Sequence, residues 1–296
     1  MNPQNISSRK FTVFMLISFL AAYIPIVLAG FMYAKGNTIL FMLLFRIVAV
    51  AFPFLAVIIA RLPLKKIGFG LKCRFKYIIA ALIGPQILSW IGAAIYFIIF
   101  PGSFKLGFDA FTATLPSDLA SVFDSIDPFV YLVVMTILSL TIIPVSQIIP
   151  SLGEEAGWRG VMYPFLKNKL GKTIGRILGG ALWGIWHWPL VIIGGYFYGR
   201  EYPGYPVLGP IVICISLILF GIVIDYLYEK TNSIWVASVA HAAMNAASMP
   251  MLLISGSSDS NMAVFGPTGF ALIPLIPVLI AAVILSLKKE TIKEAK

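Results

Sequence analysis

Two adjacent carboxylates, Glu154 and Glu155, stand in the stretch SLGEEAGWRG at residues 151–160, with Arg159 four residues after the second. Two readings of this stretch are open. In the first, Pro150 ends one helix, Ser151 caps the next, Glu154 completes a capping box and Glu155 pairs with Arg159 at i,i+4. In the second, neighbouring carboxylates in a poorly solvated setting make one of them a candidate general base. A second segment, ALWGIWHWP at 181–189, places Trp183 and His187 one turn apart on one helix face, and Pro189 limits regular hydrogen bonding beyond them. A third, SVAHAAMNAAS at 238–248, does the same for His241 and Asn245 among small residues that permit close helix approach.

Each segment alone is compatible with ordinary packing. Together they hold a carboxylate pair and both histidines of the chain, and one shared site is the economical explanation. These residue types suit water-mediated acyl hydrolysis. A carboxylate takes a proton from water, an imidazole shares that proton or holds a metal, and an amide or imidazole N–H receives the oxyanion. Glu154, His187 and His241 are also the candidates for binding zinc, the one possible cofactor. The chain has no Walker A loop, Gly-x-Ser-x-Gly elbow or His-Glu-x-x-His zinc helix.

The elements that must position these groups are membrane helices. Hydrophobic residues make up 59% of the 296 positions and charged residues only 11%, and the mean hydropathy of +0.94 exceeds that of soluble domains. The sequence therefore predicts an all-α, polytopic transmembrane bundle of about eight spans: 11–32, 38–60, 77–100, 129–150, 174–194, 207–228, 234–254 and 265–287. Cys73 and Cys214 imply neither a disulfide framework nor a thiolate metal site. The net charge of +10 follows positive-inside bookkeeping rather than nucleic-acid binding. Arg9, Lys10, Arg61, Lys65, Lys66, Lys72, Arg74, Lys76, Lys167, Lys169, Lys172, Arg176, Lys230, Lys288, Lys289, Lys293 and Lys296 all fall on one side of eight spans. That places both termini in the cytoplasm and makes the cell membrane the expected location. Asp109, Asp118, Asp124, Asp127, Glu201 and Asp259 collect opposite. Arg46 and Asp225 are further ionisable residues within or at the ends of spans.

The three segments resemble the signature of the CPBP intramembrane protease family, which includes the CAAX prenyl endopeptidases and the Abi-type proteins linked to bacteriocin processing and self-immunity. The family's Glu-Glu-x-x-x-Arg is matched by Glu154, Glu155 and Arg159, its aromatic-x-x-x-His by Trp183 and His187, and its His-x-x-x-Asn by His241 and Asn245. The resemblance implies that Glu154 and His187 activate water, that His241 and Asn245 stabilise the oxyanion, and that Glu155 and Arg159 support the site. Trp183 departs from the common phenylalanine, which is expected to narrow the substrate groove without touching the proton chemistry. The implied organisation is an N-terminal three-span region at 1–128, a catalytic core at 129–254, and a C-terminal span with a basic tail at 255–296. The implied partners are a peptide or lipid-modified protein substrate and membrane lipid. The alternative is a non-catalytic membrane scaffold or immunity protein; a transporter would call for repeated halves, which the sequence lacks.

Overall fold

The computed structural model describes residues 6–70, 73–108, 112, 121–254 and 262–288, apart from the side chains at 122, 124, 249 and 252–254. Asp109, Asp118, Asp259, Lys72, Lys289, Lys293 and Lys296 of the charge pattern lie outside the described residues. The described chain is a helical membrane bundle without strands. In order, its helices are α1 Ser8–Ala34, α2 Thr38–Ile59, α3 Phe75–Ile99, α4 Pro128–Leu140 and α5 Ile142–Leu170, then α6 Lys172–Trp186, α7 Leu208–Thr231, α8 Ile234–Ile254 and α9 Leu275–Leu287.

Four of these, α1, α2, α3 and α7, are long and apolar enough to cross a membrane, and α4 with α5 is a pair bent by 43° that passes the same test when taken as one broken span. Of the three remaining expected spans, two differ in their bounds. α8 has the expected bounds. Helix α6 ends at Trp186, where the expected span ran on to Gly194; a turn at His187 and a π-helical segment Leu190–Gly194 follow. Pro189 lacks the N–H that would have bonded the Ile185 carbonyl. Of the expected 265–287 span only Leu275–Leu287 is helical, about 20 Å long at 1.5 Å per residue. The preceding residues form turns in which Leu272 N–H donates to the Val264 carbonyl at 3.0 Å and Ile273 N–H to that of Phe265 at 3.1 Å. The Phe270 carbonyl accepts from Tyr198 Oη at 2.8 Å and Ser216 Oγ at 2.6 Å. Irregular backbone in a membrane protein persists where protein partners satisfy it.

The capping-box reading is corrected here. Helix α5 runs from Ile142 through Pro150 and Ser151, both inside it, and the chain breaks earlier, at Thr141 with φ −125° and ψ −81°. Pro144 removes the N–H that would have bonded the Leu140 carbonyl across that break. Glu154 and Glu155 consequently occupy the fourth turn of a continuous helix.

Helices α5, α6, α7 and α8 form the centre, with α2 against α5, α3 against α8, and α9 against α7 and α3. α7 is the most enclosed long helix, 61% buried along its apolar stretch against 28–33% for α1 to α3. Small residues set the closest approaches. A β-carbon at Gly180 of α6 would stand 2.4 Å from Ile218 Cα, and one at Gly153 of α5 would stand 2.5 Å from the Val50 carbonyl oxygen on α2. The glycines thus bring α6 onto α7 and α2 onto α5 at backbone contact.

Candidate active site

On α5, successive side chains point about 100° apart, so the two adjacent carboxylates do not share a pocket. Both are buried. Glu154 Oε2 accepts from the indole N–H of Trp183 at 2.8 Å and of Trp158 at 3.2 Å. Glu155 Oε1 accepts from Arg159 Nη1 at 2.8 Å and faces His241 Nδ1 at 2.9 Å. The expected i,i+4 pair of Glu155 and Arg159 is present, and the two carboxylates have separate sets of partners.

Arg159 begins the π-helical segment Trp158–Met162 one residue in and is fully buried. Its guanidinium lies 4.5 Å from the ring centroids of both Tyr163 and Trp183, and Nη2 reaches the Gly221 carbonyl of α7 at 3.3 Å. Such faces suit a planar cation.

His187 closes α6. Its Nδ1 lies 2.9 Å from the Trp183 carbonyl; a carbonyl can only accept, so Nδ1 carries the hydrogen and a neutral ring keeps its lone pair at Nε2. The imidazole packs edge-on to Phe45 at 6.0 Å, Trp186 at 5.0 Å and Phe197 at 6.0 Å. Asn245 is half-buried one turn beyond His241 on α8. Its side chain makes no hydrogen bond to the described residues.

Trp183 therefore touches four groups of the site. Its indole N–H serves Glu154, its carbonyl serves His187, its face meets Arg159, and its ring centroid is 5.0 Å from that of His241 in an edge contact. This corrects the expectation that the larger ring leaves the proton chemistry untouched, because phenylalanine has no N–H to offer. Trp158 was missed in the sequence, although it follows Glu154 by the same four residues that flagged Arg159 and Glu155.

Among the described residues, no three His, Cys, Asp or Glu side chains gather as a metal-ligand set. The candidates Glu154, His187 and His241 all lie around Trp183 but do not gather as such a set. What the arrangement offers is a carboxylate with Oε1 free of the indole bonds, a neighbouring imidazole with an available lone pair, and donors on α8, a set able to move a proton from water and to receive an oxyanion.

Residues 129–247 match the family model of the Rce1-like type II CAAX prenyl endopeptidases. Over this segment the helical core is similar to the CPBP/CAAX family. The matched segment runs from the start of α4 into α8 and contains Glu154, Glu155, Arg159, His187, His241 and Asn245. The chain is also similar to a protein named CAAX prenyl protease 2 from Methanococcus maripaludis, 29% identical over 93 residues, which are 31% of this chain and 34% of that relative. The chain thus matches about a third of the length of this CAAX-family relative.

Proposed function

We propose that the protein is an intramembrane endopeptidase that hydrolyses a peptide bond in a membrane-associated, lipid-modified peptide or protein. The observation that carries this reading is the convergence of Glu154 and His187 on Trp183, which holds one by its indole N–H and the other by its carbonyl. Glu154 Oε1 and His187 Nε2 take the proton of a water molecule, and the resulting hydroxide attacks the peptide carbonyl carbon. Asn245 and His241 donate to the oxyanion. The proton then passes to the leaving amine as the C–N bond breaks, leaving an acid and an amine. Because Nδ1 of His241 faces Glu155, donation from Nε2 calls for a doubly protonated ring, with the Glu155 carboxylate as its countercharge. The one-sided basic loops support a site opening toward the cytoplasm.

The name of the archaeal relative makes a prenylated peptide ending in a CAAX sequence the first substrate to test. Incubated with purified protein in water enriched in heavy oxygen, it is expected to be cut once, with one labelled oxygen in the new carboxylate. Mass spectrometry reads this directly. Binding without cleavage across a panel of prenylated and unmodified peptides would instead favour the membrane scaffold.

Trp183→Phe keeps the ring faces and the backbone carbonyl but deletes the donor to Glu154. With Trp158 still in place, the expected loss is about 1 kcal/mol of transition-state stabilisation, roughly fivefold in kcat, with KM nearly constant. A change confined to KM would assign the indole to the groove wall alone.

A further inference from the structure

The backbone at His187 decides what its ring can do. In a regular helix the His187 N–H would donate to the Trp183 carbonyl; here it donates to the Gly184 carbonyl at 3.0 Å. That leaves the Trp183 carbonyl to the His187 ring, whose Nδ1 lies 2.9 Å away. A regular helix would return the carbonyl to the backbone, and the ring would have to compete for it. The turn at His187 thus sets the tautomer, and with it the lone pair at Nε2.

The same turn leaves a second carbonyl without its helical donor. Pro189 has no N–H for Ile185, and an unanswered carbonyl inside a membrane bundle is costly. Tyr23 of α1 answers it: its Oη donates to the Ile185 carbonyl at 2.8 Å. The same helix holds the next residue as well. Trp186 donates its indole N–H to the Ser18 carbonyl at 2.9 Å and stands edge-on to His187. Ser18 lies in the π-helical segment Ile17–Ala21 of α1, a distortion found frequently at functional sites. Phe19, beside it, packs on Trp158, the second donor to Glu154, with ring centroids 6.2 Å apart. Helix α1 carries none of the sequence segments that make up the site, yet it grips the two residues that precede His187.

We propose that Tyr23 is a positioning residue, its hydroxyl standing in for the amide hydrogen that Pro189 lacks and so holding the turn that presents His187 with Nδ1 protonated and Nε2 free. The consequence for turnover rests on the endopeptidase reading; the tautomer does not.

The test labels both histidines with heavy nitrogen in the full-length protein in nanodiscs. The chemical shifts of the ring nitrogens report the tautomer at alkaline pH, where the rings are neutral, and a His241→Gln sample assigns the two sets of signals. The parent is expected to show His187 protonated at Nδ1. Tyr23→Phe, which removes one oxygen and keeps the ring, should show a mixture of tautomers. Turnover of a prenylated peptide should fall about five- to tenfold in kcat with KM nearly constant, at a thermal midpoint close to the parent's. Pro189→Ala supplies the missing amide hydrogen, so in that background Tyr23→Phe should leave tautomer and kcat close to those of Pro189→Ala alone. An unchanged His187 tautomer in Tyr23→Phe overturns the proposal, whatever happens to turnover. So does an equal effect of Tyr23→Phe with and without Pro189→Ala, which would make the hydroxyl ordinary packing between α1 and α6. A tautomer shift that depends on Pro189, in a protein that cleaves no peptide, upholds the positioning role and refutes the endopeptidase.

Discussion

Glu154→Gln is expected to lower kcat by about 10²- to 10⁴-fold, the range supplied by a positioned general base, while leaving the fold in place. The replacement is nearly isosteric. Its amide oxygen can still accept from the indole N–H groups of Trp183 and Trp158, which lie 2.8 and 3.2 Å from Glu154 Oε2, so the local packing keeps its partners. What disappears is the capacity to take a proton from water. The loss should therefore appear in kcat, with KM and thermal unfolding close to those of the parent. Because Glu154 lies in the fourth turn of α5 and far from its start, no helix-capping role competes for the explanation. Turnover within a few-fold of the parent, in protein of matched stability, would remove Glu154 as the base. A collapse in stability accompanying the lost turnover would make its role structural.

Glu154 also illustrates what the sequence reveals and what it hides. The spacing of four residues identified the Glu155–Arg159 pair and the shared face of Trp183 and His187, because neighbours one helical turn apart meet whatever the tertiary fold. Contacts between helices carry no such periodic mark. Nothing in the order of residues announces that the Trp183 N–H crosses from α6 to Glu154 on α5, or that His241 on α8 turns Nδ1 to Glu155 rather than to Glu154. Helix bounds were legible where an apolar run is unbroken, as in Phe75–Ile99 and Leu208–Thr231.

Proline was the weaker guide. Pro144 and Pro150 each lack an N–H, yet α5 breaks beside the first and runs through the second. Which missing bond a helix tolerates depends on neighbours that local sequence does not name. The apolar residues before α9 read as membrane span for the same reason. Their turns depend on Tyr198 and Ser216, which come from distant elements and take the Phe270 carbonyl.

Arg159→Met is expected to destabilise the folded protein by about 3–5 kcal/mol, the usual consequence of removing one partner from a buried ion pair. The physical cause is the charge left behind rather than the bond lost. Arg159 and Glu155 are both fully buried and 2.8 Å apart, and without the guanidinium the Glu155 carboxylate keeps only the His241 contact at 2.9 Å. Methionine fills much of the volume between Tyr163 and Trp183, which separates the electrostatic effect from a cavity. Glu155→Gln alone should also be destabilising, since it strands the guanidinium among aromatic faces and the Gly221 carbonyl. The Arg159→Met/Glu155→Gln double variant removes both charges, so its loss should fall well below the sum of the single losses. Arg159→Lys should be intermediate, because an ammonium retains the charge but not the planar fork that reaches Gly221 while stacking on two rings. Unfolding in mixed micelles measures all four variants on one scale. Strictly additive losses would mean that the two residues act through separate packing, and His241 would then lose Glu155 as the anchored countercharge that its oxyanion role requires.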